Sequence, residues 1–121
     1  MENKSNEIIK VKKMKAIVYT KYGSPDVLQF KEVEKPTPKD NEVLVKVHAA
    51  SINAADLDAL RGSFQVSRKP RYKILGSDLA GRIEAVGRNV KQFQPSDEIF
   101  VDLSECGFGA FAEYVCVPEM I

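Results

Sequence analysis

The side chains best suited to chemistry in this 121-residue sequence are few: one histidine (His48) and two cysteines (Cys106 and Cys116). A serine or cysteine nucleophile needs a base within hydrogen-bond reach, and a zinc site needs three or four thiolate, imidazole or carboxylate ligands. His48 alternates with Lys46 on a strand-like run and is expected to face water, so no Ser-His-Asp or Cys-His pairing can be built on it. The cysteines have no C-x-x-C spacing, which favours reduced thiols, and Cys116, alternating with Tyr114 and Ala112, reads as a buried structural thiol.

Three stretches imitate a nucleotide site. Residues 76–81 have the G-x-x-x-x-G spacing of a phosphate loop, but Arg82 and Ile83 follow where Lys and then Ser or Thr are required. Residues 107–112 fit G-x-G-x-x-A, yet Val115, Val117 and Pro118 oppose the helix that such a turn must open. Residues 63–74 carry Arg68, Lys69, Arg71 and Lys73 among Phe64 and Tyr72, a pattern that could grip phosphates. The balanced charge elsewhere favours a solvated loop.

The elements that must position these residues read mostly as strands. Residues 14–20 and 27–34 flank a turn at Tyr22-Gly23-Ser24-Pro25-Asp26 and are expected to form a hairpin, with Leu28, Phe30 and Glu32 on one side of its second strand. Residues 42–49 alternate Val43, Val45, Val47 and Ala49 with Leu44, Lys46 and His48, the clearest strand in the chain. At residues 53–61 the period changes. Asn53 is placed to cap free amides, Asp56 to sit near the positive end of the dipole, Leu57 and Leu60 to share a side, Asp58 and Arg61 to pair, and Gly62 to stop a short helix. In residues 75–101, Gly76, Gly81 and Gly87 mark bends or close backbone approach around a strand whose Ile83 and Ala85 face one way and Arg82 and Glu84 the other. A second short strand follows there, and residues 110–117 form a last one. One or two short helices among many short strands give a mainly β, barrel-like fold.

Hydrophobic residues at 44% and charged residues at 29% support one globular domain, and a net charge of +1 argues against a general nucleic-acid or anionic-membrane surface. Residues 1–13 form a charged leader without the apolar run of a secretory signal, and no apolar stretch reaches membrane-span length. A cytoplasmic domain is expected.

Met14-Lys15-Ala16, Tyr22-Gly23, Glu42-Val43-Leu44-Val45-Lys46-Val47, Ser51-Ile52-Asn53, Arg61-x-Ser63 and the G-x-D-x-A-G-x-I-x-x-V-G-x-x-V-x-x-F run from Gly76 to Phe93 occur together and in order. Over residues 14–119 the chain resembles the N-terminal, GroES-like domain of medium-chain dehydrogenase/reductases, within them the zinc-independent quinone oxidoreductase group. The resemblance implies a partly open GroES-like β-barrel over residues 14–121. It also implies a cleft completed by a Rossmann domain that binds NADPH or NADH, which in family terms would follow Ile121 and is absent from this chain.

The implied chemistry is hydride transfer to a quinone or an α,β-unsaturated carbonyl, with no turnover by the isolated chain and a homodimer in the full-length protein. Asn53 and Asp56 match the family's cleft-lining Asn-Pro-x-Asp, which marks both as catalytic and Asn53 also as cofactor-binding. Asp58, Arg61 and Ser77 are the implied substrate-binding residues. Ser77 stands where metal-using relatives keep a histidine, so no zinc is expected. The chain departs from the family at Ala54 (usually proline), at Asp58 (tyrosine in several members) and at Ser96 (glycine in the usual Pro-Gly-Asp turn). The rival reading is a stand-alone GroES-like binding or assembly module without redox activity, its basic loop over residues 61–73 serving a partner.

Overall fold

The computed structural model describes residues 12–62, 74–104 and 108–119. Most of the leader, the basic stretch 63–73, Cys106 and the first glycine of the G-x-G-x-x-A run lie outside the described residues. The elements are β1 (Lys13–Val18), a 3₁₀ turn (Pro25–Val27), β2 (Gln29–Glu34), β3 (Glu42–Ser51), α1 (Ala54–Arg61), β4 (Asp78–Val86), β5 (Glu98–Asp102) and β6 (Tyr114–Pro118). β1 and β2 form the expected antiparallel hairpin, and the other strands form a sheet in the order β5-β4-β3-β6. Bridges at Ala16–Ala112 and Val18–Ile74, with the Ile17 N–H donating to the Phe111 carbonyl at 2.9 Å, join the two sheets. The result is the expected mainly β, partly open GroES-like arrangement.

Alternation along β3 fails at two places, each beside a shift in register: at Leu44, and at Ala49, which is exposed and not on the buried face expected for it with Val43, Val45 and Val47. Val43, Leu44 and Val45 are all buried, whereas a strict two-residue period puts Leu44 on the face of Lys46 and His48. The pairing of β3 with β4 shifts register between Leu44 and Val45 and again between Val47 and Ala49, and a bulge turns an extra side chain inward. His48 is exposed, as its neighbour Lys46 is. Ile83 is buried and Arg82 and Glu84 are exposed along β4, as the alternation requires. Gly81 is where β3 comes closest: a Cβ there would sit 2.9 Å from Val45 Cγ1 and against the Lys46 carbonyl.

Two clusters bury the apolar side chains. Val43, Val45, Leu79, Ile83, Leu103, Ala110 and Val117 pack in one cluster built largely from the larger sheet. Tyr19, Ala59, Leu60, Leu75 and Phe108 form the second cluster, with Leu28 packed against it, and clamp α1 beside the entry to β4. Tyr19 leaves β1 to reach this cluster, which is why β1 stops at Val18, short of the expected Thr20. Leu60 is buried while Leu57 is half-buried. Phe30, expected to share a side with Leu28, is 71% exposed, and the one partly covered side chain of β2 is Val33. β6 begins at Tyr114, four residues later than expected, because residues 109–111 instead donate backbone hydrogen bonds to the Leu75 and Gly76 carbonyls. No helix among the described residues is long and apolar enough to cross a membrane.

Candidate functional site

The expected helix start and stop are both found. Asn53 is the N-cap of α1, in extended conformation, and Gly62 closes the helix at φ 82°, where a left-handed residue lets its N–H turn back to the Ala59 carbonyl. The Asn53 N–H donates to Asp56 Oδ2 at 2.9 Å, one half of a capping box. The Asn53 side chain turns toward β4: its Nδ2 donates to Ser77 Oγ at 3.0 Å and to Asp78 Oδ2 at 2.8 Å. A carboxylate can only accept, so Asp78 fixes which end of the Asn53 amide faces it.

Asp56 holds the other side of the same knot. Its Oδ1 accepts from the Gly76 N–H at 3.2 Å, and the residue is 1% exposed. One carboxyl group therefore ties the backbone at the start of α1 to the backbone entering β4, and the Asn53 side chain bridges the same two segments in parallel. Gly76 is required at that crossing: it lies at φ 109°, and a Cβ would meet the Ala110 Cβ at 2.7 Å. Its carbonyl accepts from the N–H groups of Gly109 and Ala110, both at 3.1 Å. Ser77, 3% exposed, is covered from the other side by Leu103, whose N–H donates to the Ser77 carbonyl.

Asp78 leads from this knot onto the outer face of the sheet, where a groove of about 490 Å³ runs along β3, β4 and β5. Cross-strand register stacks its lining in three rows, of which Ser51–Asp78–Asp102 and Ala49–Ala80–Phe100 share a face and Ala50–Leu79–Val101 lies between them. Phe100 is 90% exposed. The Asp102 carboxyl is held below the usual carboxylate range, first by the Ser104 N–H, 2.9 Å from Oδ1, and then by the Ser104 side chain. The groove offers a flat apolar floor with carboxylates at one end, joined through Asp78 to a fixed amide.

Of the five residues singled out from sequence, Asn53, Asp56 and Ser77 meet in this knot, and Asp58 and Arg61 do not. Asp58 is half-buried and Arg61 exposed further along α1, neither hydrogen-bonds to Asn53, Ser77 or Asp78, and the expected Asp58–Arg61 pair is not formed among the described residues. The sequence reading missed Asp78, Ser51 and Asp102. Ser51 and Asp78 flank residues already singled out, but only the strand register sets them beside Asp102.

Other polar features lie apart from the knot. Lys35 Nζ donates to Glu84 Oε2 at 2.9 Å and rests 3.9 Å from the centroid of the Tyr114 ring. A cavity of about 740 Å³ separates the β1–β2 hairpin from β6, with Met14, Val18, Val33, Val115 and Cys116 in its lining. Cys116 is half-buried, less covered than the sequence suggests, and burial, with a smaller effect from Glu42, pushes its thiol up to about 11.

The donor set around Ser77 does not fit zinc. It comprises one amide, one hydroxyl and one carboxylate, and no group of three His, Cys, Asp or Glu side chains able to hold a metal occurs among the described residues. A nicotinamide group fits better: such a group is held by hydrogen bonds, and the Asn53 amide is a hydrogen-bonding group fixed in place by Ser77 and Asp78.

A family model described as the alcohol dehydrogenase GroES-like domain matches residues 39–121. The chain is 37% identical over 117 residues to the NADPH-dependent alkenal/one oxidoreductase, chloroplastic, of Arabidopsis thaliana, covering 91% of this chain and 30% of that protein. It is 40% identical over 110 residues to the quinone oxidoreductase of Homo sapiens, covering 89% and 32%. Among solved structures, it is similar to the quinone oxidoreductase from Coxiella burnetii, with a TM-score of 0.76 and 30% identity over 88% of this chain and 35% of that one. It is also similar to a putative zinc-dependent alcohol dehydrogenase from Rhizobium etli CFN 42, with a TM-score of 0.80 and 35% identity over 93% and 33%. The chain thus spans about a third of the length of these relatives.

Proposed function

The chain belongs to the alcohol dehydrogenase GroES-like domain family, and from that premise we propose that it is the acceptor-side domain of an NAD(P)H-dependent oxidoreductase that reduces quinones or α,β-unsaturated carbonyls. The observation that carries the reading is the Asn53 amide, locked by Ser77 and Asp78 at the end of an apolar groove. The alkenal/one and quinone oxidoreductases among its relatives support the acceptor class and the cofactor. NAD(P)H, when bound, supplies the hydride.

The chain's own share of such work is positioning. Asn53 is the residue that would hold the nicotinamide end of the cofactor, through its fixed side-chain amide. Asp56, being buried and committed to two backbone N–H groups, acts by fixing Asn53 and Gly76 and not by contact with the reacting atoms. Ser77 likewise acts through Asn53. The walls formed by Ala49, Ala80 and Phe100 receive the flat acceptor. Asp58 and Arg61, away from the knot, border the substrate's path in this reading. The reaction is zinc-free because the donor set beside Ser77 suits an amide network and not a metal. A cytoplasmic location and a homodimeric full-length protein complete the proposal.

The test joins this domain to the nucleotide-binding domain of a quinone oxidoreductase relative and follows NADPH oxidation with a quinone. The expected result is turnover that falls at least ~10-fold on Asn53→Ala, as lost orientation of a reactant costs. Unchanged turnover in that variant would overturn the role of Asn53. The 121 residues alone, mixed with NADPH and an enone, are expected to give no oxidation, and robust oxidation would refute the idea that the hydride source binds elsewhere.

A further inference from the structure

The groove beside Asn53 has an electrostatic property that its apolar floor conceals. Asp78 and Asp102 are direct cross-strand partners on β4 and β5, and both line the groove. Directly opposite residues of an antiparallel pair share a face, with Cβ atoms roughly 5 Å apart, and like charges so placed repel. Each of the two is held by its own hydrogen bond: Asp78 Oδ2 takes the Asn53 amide, and Asp102 Oδ1 takes the Ser104 N–H. All of these donors are neutral, so hydrogen bonding leaves the charge in place. No ion pair among the described residues reaches either carboxylate: the pairs present are Lys35–Glu84, Arg82–Glu98 and Arg88–Asp40. Among the described residues of the lining, Ser51, Ala49, Ala80 and Phe100 accompany the pair, and none offers a cation.

We propose that this carboxylate pair sets the charge specificity of the acceptor groove: it admits flat, uncharged carbonyl compounds and excludes those that carry a negative group. The inference rests on the reading of the groove as the acceptor site. Its physical basis is that an anion entering the groove loses water on the apolar floor and gains only repulsion at the carboxylate end. A neutral quinone or enone loses nothing comparable and covers Phe100 and the two alanines. The selection acts over a few ångströms and is screened by salt, which separates it from a steric effect.

The test titrates the ¹⁵N-labelled 121-residue chain with two probes that share one ring system and lack a site for thiol addition, 2-(hydroxymethyl)anthraquinone and anthraquinone-2-sulfonate. Amide shifts are followed at Ala49 to Ser51, Asp78 to Ala80 and Phe100 to Asp102. The expected result is that the neutral probe moves these amides and the sulfonate binds at least ~5-fold more weakly at low salt, with the gap narrowing near 1 M salt. Asp102→Asn, which keeps an acceptor for the Ser104 N–H, is expected to close the gap by roughly 3-fold or more. Equal binding of the two probes, or a gap unchanged by both salt and Asp102→Asn, overturns the charge selection and leaves the groove reading intact. No shift with either probe overturns the groove as the acceptor site, and both readings fall together.

Discussion

The Asn53–Asp56 knot and the Lys35–Glu84 pair both join segments far apart in sequence, and they do it with opposite economies. In the knot a buried carboxyl is satisfied by two backbone N–H groups and no cation. In the pair, a lysine and a glutamate meet on the outer face of the sheet, with Glu84 40% exposed. Water can replace what Glu84 loses, but not what the buried Gly76 amide loses. The difference teaches that the knot is a structural requirement of the site, whereas the pair is an adjustment of the surface.

The sharpest way to break this contrast is to delete the buried carboxyl. Asp56→Ala leaves a buried N–H at Gly76 and a part-buried one at Asn53 without acceptors and is expected to cost about 3 kcal/mol in urea unfolding, at ~1–3 kcal/mol for each orphaned group. A loss below about 1 kcal/mol would place the knot with the surface pair. Next in size is Asn53→Asp, which turns a donor to Asp78 into a second carboxylate. A loss of about 2 kcal/mol that shrinks when Asp78 is also changed to Asn is the expected signature in a double-mutant cycle.

Ser96 sharpens the contrast from a third direction, since its strain is local and involves no partner. It holds φ 82°, a left-handed conformation that costs a non-glycine residue roughly 1–2 kcal/mol. Ser96→Gly is expected to raise stability by about 1 kcal/mol, offset in part by the entropy glycine adds to the unfolded chain. An unchanged melting temperature would mean that the Pro95-Ser96-Asp97 turn carries no strain.

The smallest effect is expected at the surface. Glu84→Gln should cost about 0.5 kcal/mol, and less in high salt. The pair's contribution also has a pH window. Hydrogen bonding to Lys35 lowers the Glu84 carboxyl, so its stabilisation is present above the ordinary carboxylate range and is lost as pH falls through the lowered value. Hydrogen bonding to Glu84 raises Lys35, so that share is present below the ordinary lysine range and is lost as pH rises through the raised value. Urea unfolding across pH should show the Glu84→Gln difference at neutrality and none at the acid end.

What could be read from the sequence was what local chemistry decides. Asn53, Asp56 and Gly62 announce a helix because a cap, a first-turn acid and a left-handed stop act within a few residues. The Ile83 and Arg82 alternation likewise needs no knowledge of a partner strand. The bulge at Leu44 was invisible because it exists only in the register of β3 against β4. Asp102 was invisible as a neighbour of Asp78 for the same reason, and Ser77 could be named only through family resemblance. Phe30 and Phe100 look like core residues in any hydropathy reading, and their exposure depends on which faces other elements cover.

Cys116 bears on the chemistry proposed for the domain. Enones and quinones are soft electrophiles that add to thiolates, and a protein that receives them exposes its own sulfur to alkylation. With its thiol raised to about 11, Cys116 is ionised in roughly one molecule in ten thousand at neutral pH, on the order of a hundredfold less than an ordinary cysteine. The partial burial that places this residue beside the hairpin cavity thus keeps its sulfur in the protonated, weakly nucleophilic form at neutral pH.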